Sequence, residues 1–331
     1  MGARAAARPR TPARPHLPDP GHGLRDLRRV TQGPPPSVSL LSRTRALLAT
    51  RGLHPRKARG QHFLVDPRVR DAIVAAAGVG PGSTVLEIGP GTGILTEALL
   101  RAGAGVLAVE VDRDLAALLR EGLAREADLT VWMADALRFD YAAHLRDHPA
   151  CGAIQVVANI PYHITSPLIL RLLRQRSLFS VLHLTVQREV AERLSAAPGS
   201  KAYGALTLHC QFWASVRRVF PIRRTAFYPP PEVDSALVRF DLLDVPRVRV
   251  GSAERLFGVI RAAFGQRRKM LRNALCHAGW RPQAVDAALT ASRVAGDRRG
   301  ETLSLPEFAQ LCEALPERTG RADSHSDREI Q

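Results

Sequence analysis

Short apolar segments alternate with helical segments through the middle of the chain, and this alternation restricts the fold more than any other feature. Apolar runs bounded by turn-forming residues predict buried β-strands at 84–88, 106–110, 129–133, 154–158 and 181–186. Helical patterns are predicted at 67–77, after residue 93, from 114, at 167–174 and from 188. Strands and helices in this order predict an α/β fold whose mostly parallel sheet is covered by helices on both faces.

The last part of the chain departs from this alternation. Segments 216–220 and 236–241 resemble strands with no helical pattern between them, which predicts an antiparallel hairpin at one edge of the sheet. After about residue 245 the strand patterns stop. Helices are predicted at 253–278, 282–290 and 304–315, so we expect a small all-α C-terminal domain.

Composition and patterning together suggest five regions. Residues 1–38 are rich in Arg, Pro and Gly, so they lack the apolar surface needed to order themselves, and we expect a disordered basic extension there. A short helix with its connector follows at 39–56. The sheet-based domain is expected at 57–244, the helical domain at 245–316 and a polar tail at 317–331.

The formal net charge of +16 indicates a polyanionic partner, although most of it comes from one end. Residues 1–60 contain thirteen Lys and Arg against two Asp. Such a tail can hold RNA without sequence preference, but a leader with no role and an organelle transit peptide are alternatives. No run of 18 apolar residues and no apolar stretch typical of a secretory signal occurs, so we expect no membrane partner.

The four cysteines, at 151, 210, 276 and 312, are far apart and form no C-x-x-C pair. This spacing suggests neither a zinc site nor a redox motif, so we expect no metal. It fits a reduced, cytoplasmic setting.

Three glycines and two acidic residues follow successive predicted strands. Gly89, Gly91 and Gly93 come between a strand and a helix, where glycine lets a ligand approach the backbone closely. Glu110 ends the next strand, where a carboxylate can accept both hydroxyls of a ribose. Asp135 follows the third strand and is placed to meet an adenine edge. Either acid alone could be a helix cap, but together they predict a nucleoside pocket, with NAD and S-adenosylmethionine both open at this point.

The loop Asn159-Ile160-Pro161-Tyr162 follows the fourth strand at the same edge of the sheet. The Asn159 side-chain carbonyl and the Ile160 main-chain carbonyl can accept the two N–H groups of an adenine amine. Pro161 stiffens the loop and brings no competing N–H, and Tyr162 offers a stacking face worth about 1–3 kcal/mol to an extruded base. An Asn-Pro turn beside a core tyrosine is the alternative, but the pocket upstream favours methylation of an amine by S-adenosylmethionine.

These residues carry a resemblance to a known family. Between about residues 57 and 315 the chain resembles the KsgA-type small-subunit ribosomal RNA adenine dimethyltransferases. The matching motifs are residues 60–64, 87–93, Glu110, Asp135, Asn159–Tyr162, 227–235 and 264–269.

The resemblance implies a class I, Rossmann-like methyltransferase fold with a helical C-terminal domain. It also implies that His62, Leu64, Gly89, Glu110, Asp135 and Asn159 line the S-adenosylmethionine pocket, beside the glycine loop that includes Gly91. The family usually has Asn at the position of His62. Phe227 matches a family aromatic that sandwiches the target base against Tyr162.

The substrate implied by the resemblance is a pair of neighbouring adenines in a hairpin loop near the 3′ end of small-subunit ribosomal RNA, each receiving two methyl groups. The expected partner is a small-subunit precursor, bound by a monomer. Four cations would face phosphate from the outer side of the predicted helix 253–278, although a solvated basic face is the alternative. They are Arg267, Arg268, Lys269 and Arg272.

Two other functions remain open from the sequence. An Erm-type methylase acts on one adenine of large-subunit RNA and has similar pocket motifs, but the Gly-Pro-Gly-Thr-Gly loop, the triple proline and the Arg-Arg-Lys segment favour the small-subunit family. A ribosome-assembly or transcription factor could keep the fold without the chemistry. The intact reactive loop and pocket residues argue against that loss.

Overall fold

The computed structural model describes residues 38–56, 60–123, 126–266 and 268–317. The helices are α1 (Leu40–Thr50), α2 (Pro67–Ala77), α3 (Ile94–Arg101), α4 (Arg113–Gly122), α5 (Tyr141–Leu145), α6 (Thr165–Arg174), α7 (Arg188–Leu194), α8 (Ala205–Trp213), α9 (Ala253–Gly265), α10 (Leu271–His277), α11 (Pro282–Ala291) and α12 (Leu305–Ala314). The strands are β1 (Phe63–Leu64), β2 (Thr84–Ile88), β3 (Gly105–Glu110), β4 (Leu129–Met133), β5 (Ile154–Asn159), β6 (Phe179–Gln187), β7 (Ala214–Ile222), β8 (Phe227–Tyr228) and β9 (Ser235–Leu242).

Seven strands form one sheet in the order β4-β3-β2-β5-β6-β9-β7. The five strands from β4 to β6 are parallel, and β9 pairs antiparallel with both β6 and β7. The predicted α/β fold with an antiparallel edge hairpin is therefore confirmed. The chain moves outward from β2 to β4 and then returns to β5 on the other side of β2, so the strand order reverses between β2 and β5. Ligands of such sheets bind beyond the carboxyl ends of the strands at this reversal.

The apolar strands are buried because helices cover both faces of the sheet. On one face Leu86 and Val156 pack with residues of α6 such as Leu172. On the other face Val85 packs with residues of α2 and α3 such as Leu99. The helix ends follow local rules: Asp66 caps α2 ahead of a proline in the first turn, and a left-handed Gly78 ends it.

Helix α1 packs against the sheet-based part of the chain. Its buried Leu48 contacts a small apolar cluster that contains Phe63 and Leu115. Ion pairs join Arg43 of α1 to Glu97 of α3 at 2.6 Å, and Arg51, directly after α1, to Glu121 of α4. The segment from residue 39 to residue 51 is thus held to α3 and α4.

Helices α9 to α12 form a second apolar cluster with α8. Phe212 of α8, Phe257 of α9 and Phe308 of α12 are buried together in it. Helix α12 begins with a capping box, in which Ser304 and Glu307 satisfy each other's main-chain N–H groups. Within the described ranges, no helix combines the length and the apolar character that crossing a membrane requires.

The prediction of one helix over 253–278 was wrong. Helix α9 ends at Gly265 and α10 begins at Leu271, and residues 268–270 before α10 are not helical. The main-chain N–H groups of Leu271 and Arg272 donate to the carbonyls of Arg298 and Gly296 at 2.7 and 3.1 Å, so they are satisfied by a distant loop and not by a preceding helical turn. Nearly all of the regions predicted at 1–38 and 317–331 lie outside the described residues.

Candidate active site

A cavity opens at the carboxyl ends of β2, β3 and β5, where the strand order reverses. Five chain segments line it: residues 60–64, 87–95, 109–115, 134–136 and 159–164. All of the residues predicted to bind the cofactor contribute to this one lining. They are His62, Leu64, Gly89, Gly91, Glu110, Asp135 and Asn159.

The glycine loop between β2 and α3 forms a cradle that side chains would fill. Gly91 has a φ of 59°, in the left-handed region that favours glycine. A Cβ placed on Gly91 would lie 2.9 Å from Cδ1 of Phe63, which is closer than real contacts allow. The loop therefore needs glycine both for its conformation and for its space.

Glu110, the last residue of β3, holds a buried carboxylate in the cavity wall. Its Oε2 accepts the N–H of Gly91 at 3.1 Å, and its Oε1 accepts the N–H of Asp112 at 2.9 Å. Burial raises the pKa of the Glu110 carboxyl, while these two N–H groups favour its charged form. A carboxylate has about four acceptor positions, so two remain for the hydroxyls of a ribose.

Asp135 lies after β4 at the same end of the sheet. Its Oδ1 accepts the N–H of Leu137 at 2.9 Å, which fixes the direction of the carboxylate in a turn. Its Oδ2 lies 3.9 Å from Nε of Arg138, and the Asp135 side chain is 44% exposed. Asp135 thus reaches the cavity from a more open side than Glu110.

Asn159 ends β5, and its side-chain amide is held by the backbone of another segment. Nδ2 donates to the main-chain carbonyl of His62 at 2.9 Å. Because a carbonyl oxygen can only accept, the NH₂ end of the amide must face His62. The Oδ1 end is therefore left for a donor, as an adenine amine requires.

Tyr162 opens a short 3₁₀ turn beyond Pro161 and lines the same cavity. Its hydroxyl and Oγ of the buried Ser235 lie 2.7 Å apart in a hydrogen bond. Burial raises the pKa of Tyr162 above its ordinary value. This hydrogen bond fixes the position of the hydroxyl end of the ring on which a base would stack.

His62 connects the reactive loop to the segment that precedes β9. Its Nδ1 donates to the main-chain carbonyl of Pro229 at 2.7 Å. Its ring stacks on Tyr162 with a centroid distance of 5.7 Å and an interplanar angle of 28°. The imidazole that replaces the family asparagine is therefore engaged with protein groups on two sides.

The sequence that forms this cavity is similar to the sequences of known proteins. A family model described as ribosomal RNA adenine dimethylase matches residues 52–315. The chain belongs to this family. The resemblance inferred from the motifs is confirmed.

Two bacterial relatives of the dimethylase family match most of the chain. A ribosomal RNA small subunit methyltransferase A from Syntrophotalea carbinolica is 46% identical over 262 residues, covering 79% of this chain and 97% of the relative. A protein of the same name from Moorella thermoacetica is 42% identical over 284 residues, covering 84% and 99%.

Two solved structures share the fold of this dimethylase-family chain. A dimethyladenosine transferase from Plasmodium falciparum aligns with a TM-score of 0.60 at 27% identity, over 76% of this chain and 96% of that one. The 23S rRNA methyltransferase ErmE aligns with a TM-score of 0.59 at 26% identity, over 76% and 99%. The predicted class I methyltransferase fold is therefore confirmed. ErmE is a more distant relative than the two small-subunit methyltransferases, which are 42–46% identical to this chain.

The family uses S-adenosylmethionine, and the residues of the cavity fit this molecule. The buried Glu110 carboxylate is suited to ribose hydroxyls, and the glycine cradle leaves room beside Phe63. The main-chain and side-chain oxygens around Asn159 are suited to an amine acceptor of the methyl group. Among the residues that the structure describes, no group of three or more His, Cys, Asp or Glu side chains could hold a metal ion.

Phe227 does not contribute to the cavity lining in the structure. Its side chain is 3% exposed and packs in an apolar cluster with Leu64, and β8 pairs with β1 so that Leu64 lies opposite Phe227. The ring that neighbours Tyr162 is that of His62. A base-stacking role for Phe227 stays a prediction, and it requires the side chain to leave this cluster.

The predicted RNA-binding cations do not form one continuous helix face. Arg268 and Lys269 lie in the connection between α9 and α10, and Arg267 lies outside the described residues. Arg272 makes a bidentate ion pair with Asp286, at 2.6 and 2.8 Å. The RNA-binding role of these residues stays a prediction, and Arg272 would have to share its guanidinium with a protein carboxylate.

Glu87 is a cavity residue to which the sequence reasoning gave no role. It is buried on β2, lines the cavity, and its Oε2 has no hydrogen-bond partner among the described residues. Burial raises the pKa of Glu87 to about 8, with a smaller contribution from the nearby Glu110 carboxylate. The signal was available in the sequence, because a charged residue interrupts the apolar strand Thr84–Ile88.

Proposed function

We propose that this chain transfers methyl groups from S-adenosylmethionine to the N6 amines of two adjacent adenines in a hairpin loop near the 3′ end of small-subunit ribosomal RNA, two groups to each adenine, as a step in small-subunit biogenesis. The observation that carries the proposal is the orientation of Asn159, whose Oδ1 is left for a donor in the cavity that also contains Glu110. The identity of 42–46% to proteins named small subunit methyltransferase A supports the choice of RNA.

An adenine amine is a weak nucleophile because its lone pair is delocalised into the ring. S-adenosylmethionine supplies a methyl group bound to a positively charged sulfur. The Oδ1 of Asn159 and the main-chain carbonyl of Ile160 accept the two N–H groups and so draw the nitrogen towards tetrahedral geometry. Ile160 is held in place because its own N–H donates to the carbonyl of Thr185 at 3.3 Å.

Positioning supplies most of the catalysis in this proposal. Tyr162 provides the face on which the extruded adenine stacks, and its hydrogen bond to Ser235 holds the hydroxyl end of the ring in place. Extrusion costs least for a base that is already unpaired, which favours a loop as the substrate. The Glu110 carboxylate holds the nucleoside part of the methyl donor at the end of β3.

The proposal also covers the partner of the protein and the place where the two meet. We infer that the substrate is a precursor of the small subunit, encountered in the cytoplasm. We also propose that the chain acts as a monomer.

A methyl-transfer assay with two substrates tests the proposal. The purified protein is incubated with labelled S-adenosylmethionine and either undermethylated small subunits or bare large-subunit RNA. We expect label in dimethyladenosine from the small subunit. Label only in large-subunit RNA would instead support an Erm-type methylase. Tight binding to small subunits or to the large-subunit RNA without any transfer of label would support an assembly factor.

A further inference from the structure

Residues 223–235 form a wall beside the reactive loop. Oγ of Ser235 is hydrogen-bonded to the hydroxyl of Tyr162, and the carbonyl of Pro229 accepts from Nδ1 of His62. Both of these partners line the cavity. Residues 223–235 are therefore joined at the cavity both to the reactive loop and to the residue before β1.

Three exposed arginines lie on or against this wall. The guanidinium of Arg45, on α1, is 4.8 Å from the centre of the Tyr228 ring, so a cation–π contact holds it over the wall. Arg223 and Arg224 begin the wall and are exposed. The N–H of Arg224 donates to Oδ1 of Asp234 at 3.0 Å, which ties the two ends of the wall together.

These three guanidinium groups form no ion pair with any residue that the structure describes, in contrast to other arginines of the same region. On α1, Arg43 pairs with Glu97, and directly after it Arg51 pairs with Glu121. Two acidic residues belong to the wall itself. Glu232 is exposed, and Asp234 accepts the main-chain N–H of Arg224.

Within residues 223–235 the two arginines equal the two acidic residues in number, and Arg45 of α1 adds a third cation against the wall. A guanidinium group without a carboxylate partner can offer its planar set of N–H donors to a phosphate. Cations along a groove that tracks the backbone, beside aromatic rings on which bases stack, are typical of single-stranded nucleic acid sites.

We propose that Arg45, Arg223 and Arg224 form a phosphate-binding rim that holds the single-stranded RNA on either side of the target adenine. The identity of that RNA rests on the proposed function, whereas the contact itself rests on the geometry of the rim. The rim lies beside the reactive loop, and none of its residues belongs to the cations predicted after α9. It adds RNA affinity next to the site of chemistry.

Salt-dependent binding tests the rim. The probe is a fluorescent single-stranded RNA with the loop sequence, titrated with the full chain by anisotropy over a series of salt concentrations. Each lost phosphate contact should lower the slope of log affinity against log salt by about 0.7, so Arg45→Ala, Arg223→Ala and Arg224→Ala together should lower it by about 2. Replacing the same three residues by Lys should restore most of the slope, because lysine keeps the charge.

Arg146→Ala is the matched control for Arg223→Ala alone. Arg146 is also exposed, but it follows α5 on the way to the amino end of β5, at the edge of the sheet opposite to the cavity. We expect its slope to equal that of the wild type. The affinity of the triple variant for S-adenosylmethionine should also equal that of the wild type, which shows that the variant is folded.

An unchanged salt slope in a folded triple variant would overturn the rim. If the triple variant loses S-adenosylmethionine affinity, the single variant Arg223→Ala is measured instead. A decrease of about 0.7 in its salt slope would support the rim, and an unchanged slope would overturn it. Failure of the proposed function looks different. The wild type would then bind the RNA with a slope that depends on the three arginines, yet transfer no label to small subunits.

Discussion

The side-chain amide of Asn159 donates to the main-chain carbonyl of His62 across 2.9 Å. The acceptor is a backbone atom, so the orientation of Asn159 does not depend on which side chain stands at position 62. This explains how the chain can carry an imidazole where its family usually has an asparagine and still keep the same arrangement of the reactive amide.

Asn159→Ala should lower the turnover of methyl transfer by about a hundredfold or more, because the variant loses an oriented acceptor for the developing charge on the amine. RNA affinity should stay within about twofold, since stacking and phosphate contacts remain. Single-turnover transfer of label and anisotropy with the same RNA measure the two quantities. Turnover at the wild-type rate would contradict the role given to Asn159.

Glu110→Gln should weaken the binding of S-adenosylmethionine by about ten- to hundredfold. The substitution removes the charge, and an NH₂ group replaces one of the two oxygens that now accept main-chain N–H groups. Hydrogen bonds to charged groups contribute about 1.5–3 kcal/mol each. Isothermal titration calorimetry measures the affinity, with the exposed Glu126→Gln as the matched control. Equal affinities for the two variants would exclude Glu110 from the pocket.

Gly91→Ala and Gly122→Ala should have opposite effects on the free energy of unfolding. At Gly91 the left-handed backbone costs about 1–2 kcal/mol for any other residue, and the new methyl group would also meet the Phe63 ring. Gly122 lies in α4 with nothing within 4 Å of an added Cβ, so alanine there should stabilise the protein by about 0.4–1 kcal/mol. Denaturant unfolding of both variants measures the effects. An unchanged or increased stability of Gly91→Ala would show that the glycine loop is not held as described.

Glu87 should make the protein without bound S-adenosylmethionine less stable as pH rises. Its pKa is raised by burial from an ordinary value of 4.5 to about 8. Between these two pH values the folded protein therefore keeps a proton that the unfolded chain releases. The contribution of Glu87 to the free energy of unfolding is complete below about pH 4.5 and falls by about 1.4 kcal/mol per pH unit up to about pH 8.

Glu87→Gln isolates this contribution, because glutamine does not titrate and the other groups are shared by both proteins. Thermal unfolding of the wild type and the variant should show the wild type losing stability relative to the variant as pH rises through this window. Parallel curves for the two proteins would mean that Glu87 has an ordinary pKa in the folded state.

The strands of the parallel sheet could be predicted because they are buried on both faces and therefore appear as continuous apolar runs. The predicted bounds 84–88 and 129–133 coincide with those of β2 and β4. The convergence of Gly91, Glu110 and Asn159 was also predictable, because the carboxyl ends of parallel strands meet at one edge of a sheet.

Other elements depend on contacts that local periodicity does not reveal. Helix α8 lies between two apolar clusters, with Leu206 in one and Phe212 in the other, so it is apolar on several sides and lacks the pattern of a surface helix. Strands β1 and β8 have two residues each, too few for any alternation. Their pairing buries Phe227 against Leu64, which its position in the motif could not indicate.

Helix α1 ends before residue 52, where the match to the family model begins. Its Leu48 nevertheless supports Phe63 and Leu115, which form part of the cavity wall. A shortened protein spanning only the matched residues would leave that wall without cover on its outer side. The helix that covers this wall begins directly after its cap, Ser39, so the support of the cavity extends beyond the residues that define the family.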